Sequence, residues 1–172
     1  MKDQLSKRIN SLPVSATLAM AAKARELKAA GKDIISLSLG EPDFNTPDFI
    51  KEAAIQAIHD NYSSYSPVDG YVDLKDAIIT KFKRDNNIDY NQNQIVVSTG
   101  AKQSIANVAM VLLNPGDEVL LPAPYWVSYS AIASLGEATY KEIPSTIETD
   151  FKITPKQLEA AITPKTKMIF FN

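Results

Sequence analysis

Cysteine is absent from these 172 residues, which excludes a disulfide framework, a thiolate zinc site and a cysteine nucleophile, and fits a reducing compartment. Histidine occurs once, as His59, so no histidine metal cluster can be assembled and no metal is expected. An excess of either charge is missing too. Eighteen basic residues stand against twenty acidic ones, a net charge of -2, which leaves no electrostatic footprint for nucleic acid or an anionic membrane. Nor is there a long apolar run: "MKDQLSKRIN" leads into no hydrophobic segment, so neither a signal peptide nor a membrane span is expected, and the cytoplasm is the expected location. Asn61-Tyr62-Ser63 fits the glycosylation acceptor pattern, but without a secretory signal it reads as a loop. These absences favour small-molecule partners. A chain with 45% hydrophobic and 22% charged residues is long enough for one ordinary globular core, and its length argues for a single domain.

What is present begins with helix signals. After Ser15, an N-cap, "ATLAMAAKARELKAA" runs to Gly31 as a helix, and "DIISLSLG" alternates into a short strand. Thr46-Pro47 opens the next helix, whose stripe of Ile50, Ala53, Ala54, Ala57 and Ile58 predicts one buried face. Leu74, Ala77, Ile78 and Phe82 repeat the spacing in a further helix, and the aromatic, turn-rich "NYSSYSPVDGY" lies between the two. From Gln94 onward strands alternate with helices: "QIVVS", "AKQSIANVAMVLL", "EVLLPA", "YWVSYSAIASLG", "ATYKEI", "TPKQLEAAI", "KMIFF". That rhythm predicts an α/β fold with right-handed crossovers and a mostly parallel sheet flanked by helices. The helix after Gly100 is apolar nearly all round and is expected to be deeply buried. Asn114-Pro115-Gly116-Asp117 has the order of a type II turn, and Thr154 with Gln157 forms a capping box behind Pro155.

Two stretches carry candidate chemistry. In "VSTGAKQS" a strand turns on Gly100 into a helix, which points free backbone N–H groups and the hydroxyls of Ser98, Thr99 and Ser104 at one spot. An ordinary helix cap explains this pattern; so does a phosphate site at the carboxyl end of a strand. No G-x-G-x-x-G and no G-x-x-x-x-G-K-[ST] occurs, so a nucleotide loses its main support. In "LPAPYWVSY" the next strand delivers Tyr125, Trp126 and Tyr129 to the same rim. Trp126, the one tryptophan, suits core packing, or stacking on a flat ring. Taken together, the two stretches describe a planar phosphorylated cofactor, and pyridoxal phosphate fits that description better than a nucleotide.

"SLSLGEPDFNTP", "YSPVDGYVDLKDAI", "STGAKQ", "NPGDEVLLPAPYWVSY" and "ITPKTKMIFFN", in this order, resemble the first portion of a class I aminotransferase. The likeness is to the bacterial aspartate aminotransferase branch of the fold-type I pyridoxal phosphate enzymes. The resemblance implies that residues 1–45 belong to a small domain and 46–172 to the first part of the large, cofactor-binding domain. It implies pyridoxal 5'-phosphate as cofactor, with Gly100, Ala101 and Lys102 holding its phosphate by backbone N–H groups and Trp126 stacking on its ring. Gly40 matches a glycine whose backbone contacts the substrate carboxylate, where Trp126 also borders the substrate. Tyr65 matches a tyrosine that reaches the phosphate in the neighbouring subunit, which implies a homodimer with shared active sites. Ser15 and Thr17 lie where the amino-terminal segment closes over substrate.

By the same resemblance, the lysine that bonds the cofactor and moves the α-proton, the acidic partner of the ring nitrogen and the carboxylate-binding arginine all come after Asn172. No catalytic residue is therefore assigned here, and the 172 residues alone are expected to be inactive. Asn172 aligns with the first asparagine of its stretch rather than the ring ligand. Lys141 reads as solvated surface, His59 as a helix-end cation, and Glu41 and Asp43 as turn chemistry. The implied reaction is transfer of an amino group between an amino acid, aspartate above all, and a 2-oxo acid such as 2-oxoglutarate, within amino acid metabolism. Two other readings stand beside it: an aromatic or kynurenine-type aminotransferase, and a non-catalytic module that binds a ligand or pairs with a second chain.

Overall fold

A run such as Val119-Leu120-Leu121-Pro122 has no polar side to turn to water. In the computed structural model it forms the middle of β1 (Glu118–Ala123), the central strand of a three-stranded sheet ordered β2-β1-β3. The structure describes residues 4–37 and 39–172. Along these, the helices are α1 (Lys7–Ser11), α2 (Ala16–Ala29), α3 (Asp48–His59), α4 (Val72–Asn86), α5 (Ala101–Leu112), α6 (Ser128–Leu135) and α7 (Pro155–Ala161). β2 (Thr139–Pro144) and β3 (Thr166–Ile169) both run parallel to β1. Parallel neighbours need crossover connections, and α6 and α7 supply them. The α/β class and the parallel sheet flanked by helices are as the sequence rhythm predicts.

The chain divides into two compact units. One comprises Met1–Ser15 with Thr99–Asn172, the other Ala16–Ser98. The first unit holds the sheet and the core. Alternation along β1 sends Val119 and Leu121 into a cluster with Ala109 and Leu113 of the α5 region and Ile132 and Ala133 of α6. Leu120 points the other way, to Ile143 of β2 and Ala161 of α7. A strand with both faces covered must be apolar along its middle, and Val119, Leu120, Leu121 and Pro122 of β1 are. Gly116 (φ +96°) makes the type II turn, closed by Asp117 N–H donating to Asn114 C=O at 3.1 Å. Thr154 and Gln157 form the expected capping box on α7, and Gln157 Nε2 also donates to Pro144 C=O at 3.0 Å, which ties the helix to β2.

The second unit carries α2, α3 and α4. α2 stops at Gly31 (φ +77°), where Lys32 N–H reaches back to Leu27 C=O, the paired closure that favours glycine at this position. α3 begins one residue later than expected, with Pro47 as its cap rather than its first turn. In the loop before α4, Gly70 N–H donates to Pro67 C=O, and Asp69 C=O accepts from Val97 N–H. Lys75 of α4, only 6% exposed, donates to Asp69 Oδ2 at 2.5 Å. Gly70 has φ +103°, and a Cβ there would stand 2.5 Å from Val97 Cγ2. Gly70→Ala is therefore expected to cost about 2–3 kcal/mol from backbone strain and overpacking together. Urea unfolding followed through the second unit checks this, and a loss under about 0.5 kcal/mol contradicts it.

Five expectations are corrected. The alternating run at residues 33–40 and "QIVVS" both form no strand ladder among the described residues, and Ile35, Leu37 and Val96 are exposed. Alternation prepares a segment for a sheet, but a ladder needs a neighbour. α5 is not deeply buried: Ala109 is fully covered, while Val108, Met110, Val111 and Leu112 are exposed because only one face meets the sheet. The α3 stripe is likewise largely exposed, including Ile50 and Ile58. The length argument for a single domain gives way to two units, since buried apolar clusters join only elements of the first.

Candidate cofactor site

The residues that matter sit where β1 ends and α5 begins, within the first unit. Gly100 precedes α5 with φ 82° and ψ 160°, a conformation essentially confined to glycine. Nothing lies within 4 Å of the point where a Cβ would stand, so the approach to the helix end is open. Ala101 and Lys102 are the first two residues of α5, and first-turn amides have no intrahelical acceptor. Gln103 and Ser104 N–H groups close back on Gly100 C=O at 3.1 and 3.3 Å, and Gln103 Oε1 accepts from Thr99 N–H at 2.5 Å. The turn is thereby fixed while the amides of Ala101 and Lys102 are left for an anion, at the positive end of the helix dipole.

Trp126 stands in the same unit, on the segment leaving β1. Lys102 Nζ lies 4.8 Å from its ring centroid, so the structure brings the Gly100 turn and the tryptophan together. One side of the indole meets Tyr129 edge-on at 5.6 Å, and Tyr129 rests in turn on Phe170 at 5.1 Å. Trp126 remains 38% exposed, which disfavours the core-packing alternative. Pro124, Tyr125, Trp126, Tyr129 and Asn172 border an open hollow of about 550 Å³.

Tyr125 borders the hollow, and its hydroxyl donates to Glu142 Oε1 of β2 at 2.6 Å. Burial, and then this hydrogen bond, push the Tyr125 phenol up to about 12. Ser145, just beyond β2, donates through Oγ to Ala123 C=O at 2.5 Å. Nothing in the sequence singles out Tyr125 and Glu142 as a pair, 17 residues apart and among many tyrosines and carboxylates.

The remaining candidates are placed as follows. Gly40 and Tyr65 belong to the second unit. Gly40 lies in an irregular, exposed stretch with nothing within 4 Å of a notional Cβ. Tyr65 projects fully into solvent from a loop whose base is closed by Tyr62 against Tyr71, ring centroids 5.6 Å apart. The Lys75 contact that steadies this loop base also holds the Asp69 carboxyl below its usual range. Ser15 immediately precedes α2, and Thr17 lies in its first turn. His59 is the last residue of α3. Lys141 is not solvated surface: it is half-buried and its Nζ donates to Ala161 C=O at 3.1 Å, capping α7. No cluster of metal-ligating side chains occurs among the described residues, and none of their helices is long and apolar enough to cross a membrane.

A ring carrying a phosphate fits these residues. The glycine turn presents amides without a side chain in the way, and the indole offers a flat, half-open face beside them. The fold and this rim define an α/β protein suited to a planar anionic ligand at the carboxyl end of a parallel sheet. Residues 32–172 match the model of the family described as aminotransferase class I and II, and the chain belongs to that family. It is 53% identical over 168 residues to a probable aspartate/prephenate aminotransferase of Rickettsia bellii, covering 98% of this chain and 42% of that protein. It is 50% identical over 169 residues to an aspartate/prephenate aminotransferase of Nitrosomonas europaea, covering 98% and 43%. Among solved structures, the aspartate aminotransferase of Rhizobium meliloti superposes with a TM-score of 0.91 at 44% identity, over 96% of this chain and 41% of that one. The Thermus thermophilus aspartate aminotransferase with maleate gives 0.92 at 38% identity, over 96% and 43%. The chain thus spans about two fifths of the length of the relatives it matches.

Proposed function

We propose that this chain is the phosphate- and ring-binding portion of a pyridoxal 5'-phosphate-dependent aminotransferase that takes its amino group from aspartate. The observation that carries the reading is the pairing of the open Gly100 turn with the half-exposed Trp126 indole, 4.8 Å from Lys102 Nζ, in a chain of this family. The amides of Ala101 and Lys102 bind the phosphate and fix its position. Trp126 covers one ring face and excludes water from it. When bound, the cofactor supplies the electron sink that lets an amino acid lose its α-proton. Gly40 contributes a backbone N–H to the substrate carboxylate. Tyr65 reaches the phosphate of a second copy, which makes the working form a cytoplasmic homodimer with shared sites. Residues 1–45 join the smaller domain and 46–172 the larger.

The acceptor is a 2-oxo acid. The names borne by the two curated relatives add prephenate to 2-oxoglutarate as a candidate acceptor. The test joins residues 1–172 to the part of the Rickettsia bellii relative that this chain does not match. The chimera is expected to release oxaloacetate from aspartate with either 2-oxo acid, while the 172 residues alone sustain no turnover. A folded, dimeric chimera that binds cofactor yet transfers no amino group from aspartate contradicts the reading.

A further inference from the structure

Trp126 presents its indole from a short segment between β1 and α6, and such a segment does not by itself hold a ring plane. Besides Lys102 Nζ over the ring, three contacts surround it. Behind the indole, Tyr129 and Phe170 form an aromatic stack against the end of β3. Upstream, Ser145 Oγ holds the Ala123 carbonyl. Immediately next to Trp126, the Tyr125 hydroxyl donates to the Glu142 carboxylate of β2. Glu142 pairs with Leu121 in the β1–β2 register, so the carboxylate is carried on the rigid part of the sheet.

We propose that Tyr125 is a positioning residue: its hydroxyl, latched to the Glu142 carboxylate, fixes the peptide it shares with Trp126 and so sets the indole plane that receives the cofactor ring. The inference rests on the reading of the Gly100–Trp126 rim as a cofactor site. The latch acts before any ligand arrives. A ring that meets a pre-set indole loses less freedom on binding than one that must first order it, and the saving appears as affinity. The phenol is raised to about 12, so it stays protonated and remains the donor throughout the working pH range. Glu142 needs only to accept, and a glutamine oxygen in its place also accepts.

Trp126 is the one tryptophan of the 172-residue chain, so its fluorescence reports on this indole alone. The ligand probe is 4'-deoxypyridoxine 5'-phosphate, which has the ring and phosphate but no aldehyde to react with lysines. In Tyr125→Phe and in Glu142→Ala, indole anisotropy is expected to fall and the probe to bind about five- to tenfold more weakly, the loss of roughly one hydrogen bond. Glu142→Gln should restore both readings to near the parent value, which a purely structural defect would not do. The double variant Tyr125→Phe/Glu142→Ala should be no worse than either single one. Thermal unfolding identifies any variant that has lost its fold, and Glu142→Gln then carries the comparison against the parent. If the parent binds the probe and Tyr125→Phe binds it equally well with unchanged anisotropy, the latch is overturned while the site stands. If the parent shows no binding at all, the reading of the site is overturned and the latch's role toward the cofactor falls with it.

Discussion

Replacing Trp126 by alanine is expected to weaken binding of 4'-deoxypyridoxine 5'-phosphate about 10- to 100-fold. The estimate follows from ring-on-aromatic stacking, which is worth roughly 1–3 kcal/mol when removed by alanine substitution. The indole is well placed to contribute at the upper end, because it is braced by Tyr129 and borders an open hollow. Trp126→Phe keeps an aromatic face at the same point and should lose less than about fivefold, by the smaller part of the same stacking range. Titration calorimetry distinguishes the two variants. Equal, small losses in both would mean that the ring of the ligand does not lie on residue 126, whatever the phosphate does at Gly100.

Leu121→Ala is expected to be the most damaging single change to stability, at about 3–5 kcal/mol, the loss of transfer energy plus the cavity left behind. Leu121 is wholly inaccessible and packs among Ala109, Leu113, Ile132 and Ala133, and the two alanines cannot reach in to fill the space. The control is Val111→Ala on α5. That side chain is 80% exposed and its truncation should lie within about 0.5 kcal/mol. Urea unfolding of both variants tests the point directly. If Val111→Ala proved as costly as Leu121→Ala, the one-sided burial of α5 would be wrong.

The comparison of the two residues also shows where sequence and structure part. Leu121 and Val111 are both aliphatic positions in strongly apolar runs, and the pattern alone assigns both to a core. Burial depends on what arrives from elsewhere in the chain: β1 has a strand on each side and helices on both faces, while α5 has the sheet on one side only. The same reason separates "EVLLPA", which became β1 with the expected bounds, from "QIVVS" and the run at 33–40, whose alternation meets no ladder partner among the described residues. Local signals were legible wherever the partner is near in sequence. Thr154 with Gln157, Gly116 in its turn and Gly31 after α2 act over three to five residues, and each does what its chemistry requires.

The site was legible in the same measure. Gly100 announces itself because a glycine that opens a helix leaves first-turn amides free, and Trp126 because a tryptophan beyond a strand's carboxyl end has a ring to present. Their approach, through Lys102 over the indole, is visible only in the fold. Tyr125–Glu142 and Lys141–Ala161 carried no sequence signal, since each joins residues 17 and 20 apart whose types have many other uses. Lys75 is similar. A lysine on an amphipathic helix reads as solvated, and only the fold shows it buried against Asp69.

The most direct measurement is an amide nuclear magnetic resonance titration of the 172-residue chain with 4'-deoxypyridoxine 5'-phosphate, beside a parallel titration with inorganic phosphate. The account predicts that both ligands shift the backbone amides of Gly100, Ala101 and Lys102 most, and that only the ring compound also shifts the indole N–H of Trp126. Shifts confined to other surfaces, or none at Ala101 and Lys102 at saturating ligand, would contradict the claim that this helix end and this indole form a cofactor site.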